Sequence, residues 1–259
     1  MDSIGHIIER FEVTASTNSL LKARAELGLA KHGTVIWADH QTAGRGRLER
    51  VWEADPGKGL LFSALILPDS SFSRITLIGL LASLAVYDTI VEQFVNIDSF
   101  DQNRFDRLML KWPNDILFEG RKLCGILCES GFNPGHKSSF IIIGIGINVN
   151  QSKKDFSSEL QPIATSMYQI TDQNFDRQDF LHLILKHLDR HYRKVITHGD
   201  DWIVDEWLRC SSVIGKNVKV SQRDQILEGI CQGLNPDGAI KLKIKSGETI
   251  KVYSGDSTT

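Results

Sequence analysis

Residues 41–52 read Gln-Thr-Ala-Gly-Arg-Gly-Arg-Leu-Glu-Arg-Val-Trp and lie between two apolar runs, each of which predicts a β-strand. Three arginines and two glycines fall within seven of these residues. Glycine lets a backbone approach a ligand closely, and arginine offers a planar, permanently charged fork that matches carboxylate and phosphate oxygens. The alternative is a solvated basic turn, but such a turn needs neither alternating glycines nor a tryptophan directly after them. We therefore interpret this loop as one that orders around an anionic ligand.

The hydrophobic pattern on both sides of this loop predicts strands and helices of one α+β unit. A first helix is expected to begin at Ser16-Thr17-Asn18, because these side chains cap helix N-termini well. Predicted strands cover residues 7–13, 34–38, 60–67, 108–118, 122–129 and 139–150, and further predicted helices cover residues 73–94, 181–195 and 200–208. We expect a mixed or antiparallel sheet with flanking helices.

The C-terminal part of the chain has a different pattern. From about residue 211, short runs of alternating apolar and polar residues are separated by turns at residues 235–238 and 246–247. Closely spaced turns of this kind predict a small β-barrel. The expected domains are therefore residues 1–210, which contain the loop, and residues 211–259.

Composition and charge exclude several classes of protein. The net charge of the 259 residues is −2, so no overall basic field indicates nucleic-acid binding. The four cysteines lack the usual spacing of a metal clip and are predicted to be small buried thiols in a reducing compartment. The N-terminus does not resemble a signal peptide, and the apolar run Ile75–Tyr87 is too short to span a bilayer. We expect a cytoplasmic protein with no membrane partner.

A second polar stretch breaks the fourth predicted strand at Pro113. Residues 111–115, Lys-Trp-Pro-Asn-Asp, set an amide and a carboxylate at a strand end, where both can face a cleft. After a hairpin turn the chain returns as a strand headed by Lys122. A period of two puts Lys122, Cys124, Ile126 and Cys128 on one face of this strand. A lysine in that position is either a charge at the rim of a cavity or an anchor for a ligand.

Two further residue pairs, one of glycines and one of histidines, have spacings that could indicate a ligand site. Gly144 and Gly146 share a strand face, which predicts a groove or a close backbone approach, but no third glycine or helix follows as a dinucleotide site would require. His187 and His191 are four residues apart on a predicted helix, a spacing that could bind zinc, yet no third acidic ligand adjoins them. We predict a solvated helix edge there, and no metal held by a protein cage.

Taken together, residues 16–18, 41–52, 111–115 with 122–127, and 143–150 resemble the motifs of the biotin–protein ligases. The resemblance extends over nearly the whole chain, and the C-terminal barrel resembles that family's SH3-like tail. It implies a catalytic domain of the class II synthetase-like biotin ligase fold. It also implies a ligase that forms biotinyl-5′-AMP and pyrophosphate from biotin and ATP, with Mg²⁺ on the nucleotide, and then biotinylates a lysine of a carrier protein.

The same resemblance implies the site residues. Joining a carboxylate to a phosphate requires fixed positive charge, which arginines and lysines supply. The implied biotin-binding residues are Ser16, Thr17, Asn18, Gln41, Gly44, Arg45, Gly46, Arg47 and Lys122. The implied ATP- or adenylate-binding residues are Arg47, Arg50, Trp52, Lys111, Asn114 and Ile126, with Gly144 and Gly146 in the apolar bed. The implied catalytic groups are Lys122, Arg45 and Asp115, the last of which would orient or deprotonate the lysine of the carrier.

The implied partner is a biotin carboxyl carrier protein of acetyl-CoA carboxylase or a related carboxylase, and the ligase is expected to be a monomer or a homodimer. A lipoate–protein ligase shares the fold, but residues 44–47 and 111–115 favour biotin. A biotin-responsive repressor needs a helix-turn-helix, and only about 15 residues precede Ser16, so we expect no DNA binding. An inactive biotin-binding module is disfavoured because the nucleotide-side residues are present, namely Arg47, Trp52, Lys111 and Asn114.

The loop departs from the family pattern at one position. That pattern usually reads Gly-Arg-Gly-Arg-x-Gly-Arg-x-Trp, and Glu49 stands here in place of the third glycine. Glutamate adopts a positive φ poorly, and its charge can pair with Arg47 or Arg50. We predict that the closed geometry or the mobility of this loop differs from that of its relatives, with its arginines retained.

Overall fold

A computed structural model describes residues 2–48, 50–68, 74–222 and 225–258. The prediction about Glu49 therefore lies outside the described residues. The helices are α1 Thr17–Glu26, α2 Ile78–Val95, α3 Met167–Thr171, α4 Arg177–His198 and α5 Trp202–Arg209. The strands are β1 Ile7–Thr14, β2 Thr34–Gln41, β3 Leu60–Ile66, β4 Leu108–Lys111, β5 Asp115–Phe118, β6 Arg121–Asn133, β7 Ser138–Ile147, β8 Asn217–Ser221, β9 Ile226–Leu234, β10 Ile240–Lys243, β11 Thr249–Val252 and β12 Asp256–Thr258.

The first seven strands form one sheet in the order β1-β2-β3-β7-β6-β5-β4. Strands β1 and β2 run parallel, and the other neighbouring pairs run antiparallel. Every residue of β3 is buried, which explains why this central strand is almost continuously apolar in sequence. The prediction of a mixed sheet with flanking helices is confirmed.

Helices cover both faces of this sheet. On one face, Leu21 and Ala25 of α1 pack against Ile36, Leu65 and Ile142, which alternate with residues facing the other side. On the opposite face lie α2 and then α4 and α5, whose apolar sides complete the larger core. Ser16 caps α1 as predicted, because its side-chain oxygen accepts a hydrogen bond from the backbone N–H of Ser19.

The remaining strands form a second, antiparallel sheet in the order β11-β10-β9-β8-β12, as expected for the predicted SH3-like unit. This sheet holds the turn between β4 and β5. Trp112 donates from Nε1 to the carbonyl of Gly238 at 3.0 Å, and Ser257 donates from Oγ to the carbonyl of Trp112. The C-terminal unit thus contacts the polar stretch at residues 111–115. The exact division of the chain into domains at residue 210 stays a prediction.

The paired histidines of α4 do not lie on a solvated helix edge, so that prediction is wrong. His187 and His191 are buried, because this side of α4 packs against α2. His187 Nε2 lies 2.8 Å from a carboxylate oxygen of Glu92, and His191 Nε2 lies 2.9 Å from one of Asp88. Among the described residues, no group of three histidine, cysteine or acidic side chains is arranged to hold a metal ion.

In place of the single helix predicted at residues 73–94, the structure has a 3-10 turn, Ile75–Leu77, followed directly by α2. By length and composition, Ile75–Val95 is long and apolar enough to cross a membrane, but 61% of its most apolar window is buried in the protein. Such burial is typical of the core helix of a folded domain.

Candidate functional site

A cavity of about 220 Å³ opens on the face of the sheet where α1 begins, and it is lined in part by residues of the ranges 41–48 and 50–52, which we call the flap. The cavity is lined by residues from the start of α1, the flap, strands β3, β5, β6 and β7, and the segment after β7. Residues named as site residues from the sequence that line it are Ser16, Thr17, Asn18, Gln41, Arg45, Gly46, Arg47, Arg50, Trp52, Asn114, Asp115, Lys122, Ile126, Gly144 and Gly146.

Hydroxyl and amide groups cluster at one end of this cavity. Gln41, at the end of β2, accepts hydrogen bonds at Oε1 from the backbone N–H of Thr17 (2.7 Å) and from its hydroxyl (3.0 Å). Ser63 Oγ lies 2.7 Å from Thr17 Oγ1 and 2.6 Å from Asn18 Oδ1. Thr17, Asn18 and Ser63 are buried, so these groups fix one another rather than moving in solvent. The result is a preformed polar surface.

Asn18 is pressed against the backbone of β7. A methyl group added at Gly144 would lie 2.0 Å from Asn18 Oδ1, so this position has room for a glycine and for no larger residue. The amide nitrogen of Asn18 donates to the carbonyl of Leu127 at 3.1 Å and to Glu129 Oε2 at 2.9 Å. The predicted close approach at Gly144 is confirmed, and it serves a side chain of the site.

Trp52 covers the middle of the cavity. Its indole lies on Gly125 and Gly146, which face each other on β6 and β7. A methyl group at Gly146 would lie 2.6 Å from the ring, and one at Gly125 would lie 2.8 Å from it. The Lys122 ammonium lies 5.5 Å from the ring centroid, within cation–π range. Two facing glycines thus form the flat bed on which the end of the flap rests.

Lys122 and Asp115 form an ion pair inside the cavity, with Nζ 2.8 Å from Oδ1. The Lys122 side chain is 36% exposed and the Asp115 side chain 17% exposed, so both remain in contact with the cavity. Burial strengthens such a pair, because less solvent screens it. Lys122 is therefore held in place by a carboxylate while its remaining protons can meet a ligand.

The face on which Lys122 lies differs from the prediction. Lys122 pairs with Leu117, whereas Cys124 pairs with Ile116, so one extra residue is inserted into β6. Such a β-bulge reverses the side on which the residues before it point. Lys122 consequently shares a face with Gly125, and the expectation that it shares one with Cys124 and Cys128 is wrong.

Those two cysteines are not among the residues that line the cavity. Burial raises the pKa of the Cys128 thiol to about 12, and it raises the pKa of Cys124 as well. A neutral thiol is a poor nucleophile. All four cysteines of the chain are unpaired; Cys124 and Cys231 are buried as predicted, whereas Cys128 and Cys210 are partly exposed.

Arg45 anchors one side of the flap to β6 and α1. Its Nη2 donates to Glu129 Oε1 at 2.7 Å, and its Nη1 donates to the hydroxyl of Ser19 on α1 at 3.1 Å. Glu129 is a site residue that sequence reasoning missed. No local pattern distinguishes it, because its importance comes from a contact between residues far apart in the chain.

Arg47 anchors the other side of the flap. Its Nη1 donates to Asn114 Oδ1 at 3.3 Å and to the carbonyl of Gly255 at 3.0 Å. The amide of Asn114 in turn donates to the carbonyl of Ile126 at 2.9 Å, which ties the residue to β6. Arg47 therefore joins the flap, the strand end at Asn114 and the C-terminal unit.

Gly44 and Lys111 do not line this cavity. Gly44 accepts a backbone hydrogen bond from Trp52 at 3.0 Å, which closes the flap, and it lines a more open pocket beside it. Lys111 lies at the end of β4, in register with Asp115. The individual ligand contacts of all the sequence-derived site residues stay predictions.

The segment after β7, predicted as irregular, forms one wall of the cavity. Lys122 donates its backbone N–H to the carbonyl of Ile163 at 2.7 Å and accepts from Thr165 at 2.9 Å, so the segment runs beside β6. Its apolar side chains reach the cavity, namely Phe156, Leu160, Ile163 and Ala164. Phe156, Leu160 and Ile163 recur at separations of four and three residues within a polar segment, and this spacing is the signal that could have indicated the wall.

Comparison with known proteins agrees with this geometry. A model described as the biotin/lipoate A/B protein ligase family matches residues 10–148, and one described as the biotin protein ligase C-terminal domain matches residues 213–256. The chain is 31% identical over 247 residues to a biotin–[acetyl-CoA-carboxylase] ligase of Mycobacterium tuberculosis, covering 94% of this chain and 85% of that protein. It is 37% identical over 227 residues to the bifunctional ligase/repressor BirA of Bacillus subtilis, covering 88% of this chain.

The chain spans 66% of the length of that Bacillus relative. Among solved structures, a biotin protein ligase from Aquifex aeolicus in complex with biotin and ATP superimposes with a TM-score of 0.80 at 28% identity, over 98% of both chains. Sequence, fold and the composition of the cavity therefore agree, and the chain belongs to the biotin/lipoate A/B protein ligase family.

Proposed function

We propose that the chain activates biotin with ATP to biotinyl-5′-AMP and then transfers biotin to a lysine of a biotin carboxyl carrier protein. The observation that carries this proposal is that one cavity joins the hydroxyl and amide cluster around Thr17 to four cations, Arg45, Arg47, Arg50 and Lys122. A ligand with a polar ring at one end and an anionic group at the other matches that arrangement. The Aquifex protein, solved with biotin and ATP, supports it.

The polar cluster suits a cyclic urea. Such a ring offers two N–H donors and one carbonyl acceptor, and the cluster offers hydroxyls, which can donate or accept, beside an amide. Gln41 uses its oxygen on Thr17, which leaves its amide nitrogen as a donor. Because these groups are already fixed by hydrogen bonds, little conformational freedom is lost when the ligand binds.

In the first step an oxygen of the biotin carboxylate attacks the α-phosphorus of ATP. The bond from that phosphorus to the oxygen bridging to the β-phosphate breaks, and pyrophosphate leaves with the electron pair. A carboxylate is ionised at neutral pH, so this step needs no general base. It needs cations that hold two anions together, and we assign this role to Lys122 and the flap arginines.

In the second step the amine of the carrier lysine attacks the acyl carbon of the mixed anhydride. The bond from that carbon to the phosphate oxygen breaks, AMP leaves, and the amine loses a proton. Asp115 is the carboxylate that we propose orients the amine or accepts this proton. Its Oδ1 is engaged by Lys122, which leaves the second oxygen for the incoming group.

The magnesium ion expected with ATP does not fit a protein cage here. The cavity is lined by the carboxylates of Asp115 and Glu53, and Asp115 is paired with Lys122. Within the described ranges, no third ligand joins them in a cluster. We propose that Mg²⁺ enters on the phosphates of the nucleotide, since this ion keeps much of its water and binds proteins through few groups.

The proposed partner is the carrier domain of acetyl-CoA carboxylase or a related carboxylase, supported by the printed function of the Mycobacterium relative. We assign the chemistry to residues 1–210, with residues 211–259 supporting the flap through the carbonyl of Gly255. A cytoplasmic location is proposed because the four cysteines are unpaired.

The test is biotinylation of a purified carrier domain, followed by mass spectrometry with ATP and biotin present. The wild-type protein is expected to modify one lysine, and absence of modification with a competent carrier would contradict the proposal. Asp115→Asn is expected to lower the transfer rate by roughly 10²-fold while reducing pyrophosphate release much less. Equal transfer rates in Asp115→Asn and wild type would remove Asp115 from the mechanism.

A further inference from the structure

Glu129 is an acidic residue at the edge of a site that must bind anions. Its side chain is 16% exposed, and its two oxygens contact two different parts of the site. Oε2 accepts from the amide of Asn18 at 2.9 Å, and Oε1 accepts from the guanidinium of Arg45 at 2.7 Å. We propose that Glu129 is the positioning residue that holds Arg45, and with it the flap, closed over the cavity.

The anchor on which Glu129 rests is rigid. Asn18 is fixed by Ser63 at 2.6 Å and by the carbonyl of Leu127 at 3.1 Å, and the backbone at Gly144 leaves it no room to rotate. A carboxylate held in this way directs its free oxygen at one place. Glu129 therefore connects Asn18 of the polar cluster to Arg45 of the flap.

The flap end of the contact is also well defined. Arg45 pairs with Val51 across the flap, and Gly46 donates its backbone N–H to the carbonyl of Arg50 at 2.7 Å, so these two pairs of residues hold the two sides of the flap together. Arg45 lines the cavity, and it donates one N–H from Nη2 to Glu129 and one N–H from Nη1 to Ser19. A guanidinium has five N–H donors, so three remain available to an anionic ligand.

The two hydrogen bonds to residue 129 require the two acceptor oxygens of a glutamate and cannot both be accepted by a glutamine. Both groups that contact the side chain are donors, the amide of Asn18 and the guanidinium of Arg45. A glutamine has one acceptor oxygen and can satisfy one of them, so Glu129→Gln must release either the anchor or the flap. Glu129→Asp keeps the charge but is one methylene shorter, and it should restore part of the effect.

The first experiment needs no ligand. Trypsin cleavage after Arg47 and Arg50 is followed by mass spectrometry in the ligand-free protein, because a protease cleaves this loop when it opens. Glu129→Gln is expected to raise the cleavage rate by about three- to tenfold, with Glu129→Asp in between. The matched control is Glu9→Gln, which removes another glutamate–arginine pair, with Arg24 at 2.6 Å, away from the cavity.

Three outcomes would overturn the proposal. Cleavage of Glu129→Gln at the wild-type rate would show that the contact does not hold the flap. Equal acceleration at sites outside the flap, or an equal effect of Glu9→Gln, would indicate general destabilisation. Additive effects of Arg45→Gln and Glu129→Gln in the double variant would also contradict it, since Glu129 is expected to act through Arg45 and to add nothing once that residue is replaced.

A second measurement rests on the proposed function. Glu129→Gln should release biotinyl-5′-AMP about three- to tenfold faster than wild type, with the melting temperature unchanged within the range of the Glu9→Gln control. Release at the wild-type rate would overturn the role of Glu129 in retaining the ligand. If the wild-type protein formed no adenylate, the proposed function would fail while trypsin cleavage still decided the role of Glu129 in the flap.

Discussion

Replacing Gly144 by alanine tests whether the site depends on the contact between β7 and Asn18. The backbone at Gly144 suits alanine, but the added methyl group would lie 2.0 Å from Asn18 Oδ1 and 2.8 Å from its Nδ2. Asn18 would have to leave its place and lose three hydrogen bonds, to Ser63, Leu127 and Glu129. We therefore expect the variant to lose both stability and affinity for biotin.

The magnitude follows from these three bonds. One of them is charge-assisted and two are between neutral groups, so their loss costs about 2.5–6 kcal/mol of the free energy of unfolding. Alanine in a strand gains roughly 0.5–1 kcal/mol over glycine through its lower conformational entropy in the unfolded chain. The expected net loss is about 2–5 kcal/mol, measured from urea unfolding followed by tryptophan fluorescence.

Two further variants isolate the cause. Gly79→Ala on α2 is the matched control, because its methyl group meets Cys128 Sγ at an ordinary 3.7 Å, and it should be neutral or stabilising by up to about 1 kcal/mol. In an Asn18→Ala background, Gly144→Ala should cost little more, since the clashing side chain is gone. Wild-type stability and biotin affinity of Gly144→Ala, measured by calorimetry, would refute the reasoning.

Two other predictions concern the surrounding fold. Burial lowers the pKa of His32. Just below the ordinary histidine pKa of about 6.5, the folded protein therefore binds fewer protons than the unfolded chain. The free energy of unfolding should consequently fall as the pH falls through that range. His32→Asn, which keeps an acceptor for the backbone, should flatten this part of the stability profile, and an unchanged slope would contradict the assignment. Trp112→Phe removes the bond to Gly238 and should cost about 1–3 kcal/mol of unfolding free energy in urea, whereas a cost near zero would show that the second sheet does not hold this turn.

Much of this fold can be predicted from local sequence, because the pattern of apolar and capping residues reports how each element is buried. The nearly continuous apolar run of β3 and the capping residues before α1 predict those elements, and the structure has both nearly at the predicted bounds. The polar motifs at residues 41–52 and 111–115 also predict which parts of the chain meet in one cavity. Their residue types are unusual enough to indicate an anion site before any contact is known.

What the sequence does not predict depends on register and on distant partners. The inserted residue in β6 reverses the face of Lys122, and the alternation of residues along this strand does not indicate the insertion. The burial of His187 follows from packing of α4 on α2, which a helix pattern alone does not specify. Glu129 likewise becomes part of the site through contacts with Asn18 and Arg45, which lie 111 and 84 residues away in the chain.

The most direct test of the account is biotin-dependent exchange of label between pyrophosphate and ATP, with lipoate as the alternative acid. We expect exchange with biotin and not with lipoate. Lys122→Ala or Arg45→Ala should weaken ligand binding about ten- to a hundredfold, because each variant loses one charge-assisted contact of about 1.5–3 kcal/mol. Exchange supported by lipoate in place of biotin, or wild-type exchange in both variants, would contradict the assignment of this cavity.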